Sequence, residues 1–106
     1  MTKFLIKASY THEGVKGLLK LGGTIRKQAI EKMINDLGGK MESFYYAFGD
    51  TDVYVIGEVP DAVTLAAVSL NINSTGLVST ADTILINPEE VDRATKISVS
   101  YRSPGS

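Results

Sequence analysis

Few residues of this chain have side chains suited to chemistry, and the clearest of them lie next to predicted turns. His12 is the single histidine and follows a predicted strand, and an imidazole side chain can act as a general acid or base. The alternative is an exposed residue at the start of a helix. Asp50 and Asp52 lie in the Gly49–Asp52 corner, where two carboxylates could divide acid and base roles or bind a hard cation. The alternative there is turn chemistry, because glycine and aspartate favour turns.

A second group of residues is suited to holding a ligand. Arg26 follows Gly22, Gly23 and Thr24, an arrangement that could bind an anion at a helix N-terminus. It is not a P-loop, because the Gly-Lys-Ser/Thr ending is absent. The alternative is a kink between two helical segments.

Aromatic side chains are concentrated in the segment 44–54. Tyr46 and Tyr54 there, with Tyr10 at the end of the first predicted strand, could line an apolar pocket with polar tips. The alternative is a role in the core or in an interface. Near the C-terminus, Tyr101 and Arg102 are residue types common at interface anchors. They predict docking on a neighbouring subunit, against the alternative of a disordered tail.

Composition excludes several classes of function. The chain has no cysteine, so disulfides and thiolate chemistry are excluded, and with one histidine we expect no metal site and no cofactor. Lysine and arginine number 11 against 12 acidic residues, which argues against nucleic acid or an anionic membrane as partner. The first residues lack the apolar core of a signal peptide, and the uncharged segment 62–81 is too polar to span a membrane. We therefore expect a cytoplasmic protein.

Hydrophobic periodicity and turn residues predict one α+β domain over residues 1–106. In order, the predicted elements are a strand over Lys3–Tyr10, a helix over His12–Leu21 capped by Thr11, a second helix capped by Thr24, a hairpin with strands Lys40–Phe48 and Val53–Val59, a helix over Ala62–Asn73, a strand over Leu77–Ile86, a short helix from Pro88 to about Ile97, and an extended tail over 98–106.

This order fits a ferredoxin-like βαββαβ sandwich, in which a four-stranded antiparallel sheet carries two helices on one face. The other face would then need a partner. Lys7, Ser9, Thr80 and Asp82 are candidates for that face. The lack of charge in the segment Ala62–Asn73 further indicates a helix covered on more than one side.

Three groups of residues make the chain resemble the GYD domain family. The first comprises Ala8–Thr11, Gly14–Leu19 and Gly22–Thr24 with Arg26, the second is Phe48–Val53, and the third comprises Pro88–Val91 and Ser98–Gly105. One departure is Thr51, which stands where the family commonly has tyrosine. The resemblance implies a dimeric α+β barrel, in which two ferredoxin-like subunits press their open sheet faces together.

The same resemblance does not choose a chemistry. The wider superfamily includes cofactor-free monooxygenases, lactone isomerases, haem enzymes and amino-acid-binding regulatory domains, and a fold alone does not select among them. The first hypothesis is a homo-oligomer that binds a small molecule. The second is a cofactor-independent isomerase or monooxygenase-like enzyme using His12 and Arg26. The third is a purely structural assembly subunit.

Overall fold

The computed structural model describes all 106 residues and has the predicted order of elements. The elements are β1 (Thr2–Tyr10), α1 (His12–Leu21), α2 (Gly23–Asp36), β2 (Lys40–Tyr46), β3 (Val53–Val59), α3 (Ala62–Ser74), β4 (Val78–Leu85) and α4 (Pro88–Ala94). The strands form one antiparallel sheet in the order β2-β3-β1-β4. The prediction of a ferredoxin-like α+β sandwich is therefore confirmed.

The core lies between the sheet and the helices. Alternate residues of β1, namely Phe4, Ile6 and Ala8, are buried, as are the odd-numbered valines of β3. Ile34 of α2 and Leu65 and Val68 of α3 cover them. Because side chains of a strand alternate between the two faces, one parity of each strand faces the helices and the other faces away.

The first turn of α1 confirms the predicted cap. The Thr11 hydroxyl accepts a hydrogen bond from the Gly14 N–H and donates to the Gly76 carbonyl oxygen at 2.9 Å. This side chain therefore stabilises the helix start and also joins it to the loop before β4.

The predicted cap of α2 is wrong. Helix α2 begins at Gly23 and its N-cap is Gly22, whereas Thr24 already lies inside the helix. Gly22 has a φ of 84° and its N–H donates to the Leu18 carbonyl oxygen at 2.7 Å. A residue without Cβ adopts that conformation freely, so the chain turns at one position and resumes a helix at once. The predicted kink is confirmed.

Two predicted ends are also too long. Strand β2 ends at Tyr46 rather than Phe48, because Phe48 has a φ of 55° and leaves the extended conformation. Helix α4 ends at Ala94 rather than about Ile97, while a capping box between Asn87 and Glu90 fixes its start.

The far side of the sheet, here called the open face, carries no helix. Lys7 and Ser9 lie on it as expected, but the assignment of Thr80 and Asp82 to this face is wrong. Thr80 pairs with Ala8 and Asp82 with Ile6, both core residues, so the two side chains point towards the helix layer. The Thr80 hydroxyl is 3.0 Å from that of Ser69 on α3.

The chain exposes more surface than a compact domain of its mass. Its accessible surface is 7261 Å², against about 5,800 Å² for a monomer of 11.4 kDa. The radius of gyration is 16.8 Å, against about 13 Å for a compact chain of this length. No residue from Ile86 onward is buried, so α4 and the tail stand away from the core.

No helix has the length and apolarity needed to cross a membrane.

Candidate functional site

Two neighbouring clefts open between the sheet and the helix layer. The outer cleft has a volume of about 210 Å³ and lies between α1 and the loop before β4; its walls include Leu18, Leu77 and Val78. The inner one, about 40 Å³, reaches the core and is almost wholly apolar. Tyr10, Arg26, Ile72 and Val78 line both clefts, so these four residues mark the point where the clefts meet, and Tyr10 and Arg26 are its polar members.

Arg26 is the cation of this site. Its side chain is partly buried, yet the chain's three ion pairs all use lysines, namely Lys3, Lys16 and Lys32. A guanidinium that is half-removed from water without a carboxylate partner favours an added anion. It lies on the first turn of α2, one turn after the Gly22 kink, which aims this turn at the clefts.

Tyr46 stands beside these two residues. Its hydroxyl donates to the Gly23 carbonyl oxygen at 3.0 Å, and its ring lies against the Gly23 Cα, where a Cβ would come within 3.0 Å. Burial raises the pKa of Tyr46 to about 12, the neighbouring Tyr10 hydroxyl adds to the rise, and Arg26 opposes it. Tyr46 is therefore neutral at pH 7 and can donate a hydrogen bond but cannot serve as a base.

The two aspartates of the corner have different surroundings. The Asp52 carboxylate accepts a hydrogen bond from the Tyr10 N–H at 2.9 Å, and the Asp52 N–H donates to the Ala8 carbonyl oxygen. Asp50 is exposed, and its carbonyl oxygen accepts from the Ser9 hydroxyl. The corner thus fixes the end of β1, and with it Tyr10, while neither aspartate lines a cleft.

The remaining predicted residues lie elsewhere. His12 is exposed on the first turn of α1 and lines none of the cavities. Tyr54 lies on the open face, directly opposite Tyr45 in the strand register. Tyr101 is 75% exposed and Arg102 is exposed beside it in the tail. The structure therefore brings Tyr10, Arg26 and Tyr46 together and leaves His12, Tyr54 and the tail pair outside the site.

Sequence reasoning missed the apolar walls. Leu18, Ile72 and Val78 line the clefts, and nothing distinguishes them from core residues when the sequence is read alone. Gly17 is the one available signal, because a glycine inside a helix costs stability and so points to a packing or functional reason for its presence. A Cβ at Gly17 would meet nothing within 4 Å, because the residue faces the outer cleft.

Fold and clefts together define a class: a ferredoxin-like domain with one bare sheet face and an apolar cleft that carries a single arginine. The family model described as GYD domain matches residues 4–95. The chain belongs to the GYD domain family. Neither the curated proteins nor the solved structures give a significant match.

Proposed function

We propose that the protein is a homo-oligomeric binding protein for a small apolar molecule that carries one anionic group. The observation that carries the proposal is the Arg26 guanidinium, which has no carboxylate partner and lines two apolar clefts. A carboxylate is the group that a guanidinium holds best, through two parallel hydrogen bonds. The clefts are smaller than the roughly 300–1,000 Å³ of pockets for drug-sized ligands, so the ligand is small.

Tyr10 and Tyr46 determine how a ligand would be oriented in the site. A ligand carboxylate near Arg26 would have the Tyr10 ring on one side, while its apolar part occupies the outer cleft, because the inner cleft of about 40 Å³ is too small for a ring. Tyr46, neutral and bonded to Gly23, keeps the α1–α2 kink in place. The arrangement supports binding better than proton transfer, since His12 is outside the clefts and Tyr46 cannot act as a base. An enzyme using His12 and Arg26 stays a prediction.

Benzoate and its neutral analogue benzamide test the proposal. We expect ligand-observed NMR and calorimetry to detect benzoate and to find benzamide at least tenfold weaker. Arg26→Gln should weaken benzoate binding tenfold or more, because a charge-assisted hydrogen bond contributes about 1.5–3 kcal/mol. Lys27→Gln, a matched loss of charge at the next position of α2, should leave binding unchanged, since Lys27 lines neither cleft.

Equal affinity for benzoate and benzamide, or an Arg26→Gln variant that binds as the wild type does, would contradict the anion site. No binding of either probe at millimolar concentration would contradict the binding function itself. Native mass spectrometry of freshly purified protein should also show whether a small molecule is retained.

The second copy is the other part of the proposal, and the open face supports it. Tyr45 and Tyr54 face each other there and are 70% and 37% exposed, beside the cross-strand pair Leu5 and Ile56. The surface in excess of a compact monomer is about 1,500 Å²; it includes the exposed α4 and tail, so it bears on the docking of the tail rather than on the open face. We therefore propose a homodimer through the open faces, with Tyr101 and Arg102 of each tail docked on the other subunit.

A further inference from the structure

Helix α3 is apolar on two opposite sides. Leu65, Val68 and Ile72 face the core, as an amphipathic helix requires. The outward stripe is also apolar: it consists of Val63, Ala66, Ala67 and Leu70, at the spacing i, i+3, i+4 and i+7. We call these four residues the α3 stripe.

The exposure of the α3 stripe is unusual for a helix in contact with water. Val63 is 79% exposed and Leu70 is 72% exposed. No charged residue occurs between Ala62 and Ala81, so no charged side chain holds the outer face of the helix in solvent. A solvated helix face is normally polar or charged, and an apolar stripe at this spacing is typical of helix–helix contacts.

The order of sizes in the α3 stripe is the same from either end: large, small, small, large. Two such stripes packed antiparallel about a twofold axis would place Val63 of one copy against Leu70 of the other. The alanines would meet near the axis, where small side chains allow close approach. A surface that is complementary to itself in this way is what a twofold interface between identical subunits requires.

A groove beside the stripe provides the receiving surface. It has a volume of about 430 Å³ between α2 and α3, and its apolar part is formed by Ala29, Met33, Leu37, Ala67 and Val68. The ion pair between Lys32 and Asp36, at 2.6 Å, lies at its rim. An aliphatic side chain from an opposing helix would enter this groove as a knob enters a hole.

From these observations we propose that the α3 stripe is a second self-association surface, which pairs antiparallel with the α3 stripe of another copy. It lies on the opposite side of the sheet from the open face, so the two surfaces can be used at once. One helix pair buries less than the roughly 800 Å² per partner of a standard interface. The contact would therefore join one open-face dimer to another, and it should be populated mainly at high protein concentration.

Single cysteines test the pairing directly, because the chain has none of its own. We expect Ala66→Cys and Ala67→Cys to form intermolecular disulfides rapidly under mild oxidation, since positions near a twofold axis come within the roughly 4.4–6.8 Å Cα separation of a disulfide. Gln28→Cys, at an exposed position of α2 that lines no groove, is the control. Crosslinking of the alanine positions no faster than at position 28 would overturn the proposal.

Light scattering at about 100 μM provides the second measurement. The wild type should exceed two chains in mass, and Leu70→Glu should reduce that mass to two chains, because the carboxylate would be buried against Val63 of the other copy. Leu70 is mostly exposed in the single chain, so the variant should keep its fold, which circular dichroism checks. An unchanged mass would overturn the proposal. If Leu70→Glu leaves the mass unchanged but abolishes binding to neutral phosphatidylcholine vesicles, the stripe is a lipid-binding surface instead.

These measurements distinguish the α3 pairing from the open-face dimer. If a charge on the open face leaves the mass unchanged while Leu70→Glu lowers it and Ala67→Cys crosslinks, the α3 pairing holds and the open-face dimer fails. If a charge on the open face lowers the mass and neither α3 result appears, the reverse is true.

Discussion

Tyr46 shows how position changes the acidity of a side chain in this fold. Its ring lies edge-on to Phe44 at 5.3 Å and stacks on Phe48 at 5.5 Å between ring centroids. Its hydroxyl is held by Gly23 and lies beside Tyr10. Removal of a phenol from water favours its neutral form, which is why burial is the main cause of the raised pKa.

The stability of the protein should fall at alkaline pH because of this residue. The pKa of Tyr46 rises from about 10 in the unfolded chain to about 12 in the fold. Its contribution is therefore complete below pH ~10 and is lost as the pH rises towards ~12. Urea unfolding between pH 9 and 11.5 should show a shallower decline for Tyr46→Phe than for the wild type. Identical slopes for the wild type and Tyr46→Phe would refute the assignment.

At the scale of elements, two glycines of the same helix should respond oppositely to alanine. A Cβ at Gly14 would lie 2.0 Å from the Leu77 carbonyl oxygen and 3.1 Å from the Tyr10 ring, whereas one at Gly17 would meet nothing within 4 Å. Gly14→Ala should therefore lower the free energy of unfolding by about 1–3 kcal/mol. Gly17→Ala should raise it by about 0.5–1 kcal/mol, because alanine is the better helix former. Chemical denaturation measures both, and a stable Gly14→Ala would mean that α1 can shift away from β4.

The order of elements was predictable because each carries a local signal. Thr11 capped a helix as its type and position suggest, and the paired glycines at 22 and 38 marked a break and an end. Thr24 was the error, since a side-chain cap and a glycine turn compete for the same start and only geometry decides between them. The predicted strand end at Phe48 was a second error, because an aromatic residue gives no sequence signal for a positive φ.

The candidate site was predictable only in part, because a site depends on parity and register. Tyr46 and Tyr54 lie in one hairpin, yet Tyr46 pairs with Val53 and Tyr54 with Tyr45, so the two tyrosines point to opposite faces. The bulge between Met41 and Ser43 shifts the register within β2, and no sequence pattern located it. Arg26 and Tyr10 could be proposed as ligand-binding residues from type and position, but the cleft beside them depends on how α1 packs against the segment before β4.

For the whole molecule, a charge on the open face should separate copies. Tyr54→Glu places a carboxylate in the middle of that face, next to Lys7 on the neighbouring strand. In a single chain the two charges would pair in solvent, so folding should be little affected; in the proposed homodimer they would be buried at high cost. Light scattering should show a lower mass for Tyr54→Glu than for the wild type. Leu19→Glu, at an 81% exposed position of α1, is the control, and equal masses for all three would refute the open-face dimer.

The tail should contribute to the same assembly. Ile97, Val99 and Tyr101 alternate with polar residues and are 69%, 75% and 75% exposed. The backbone from Ser98 to Arg102 makes no backbone hydrogen bond within the chain. Extended backbone of this pattern, with unpaired polar groups and apolar side chains on one side, is suited to docking on another subunit. Deletion of residues 98–106 should therefore make the assembly dissociate at tenfold or more higher protein concentration in a light-scattering dilution series. Deletion of residues 104–106 alone should leave dissociation unchanged, because this variant keeps Tyr101 and Arg102. If the longer truncation dissociates at the same protein concentration as the wild type, the tail does not dock.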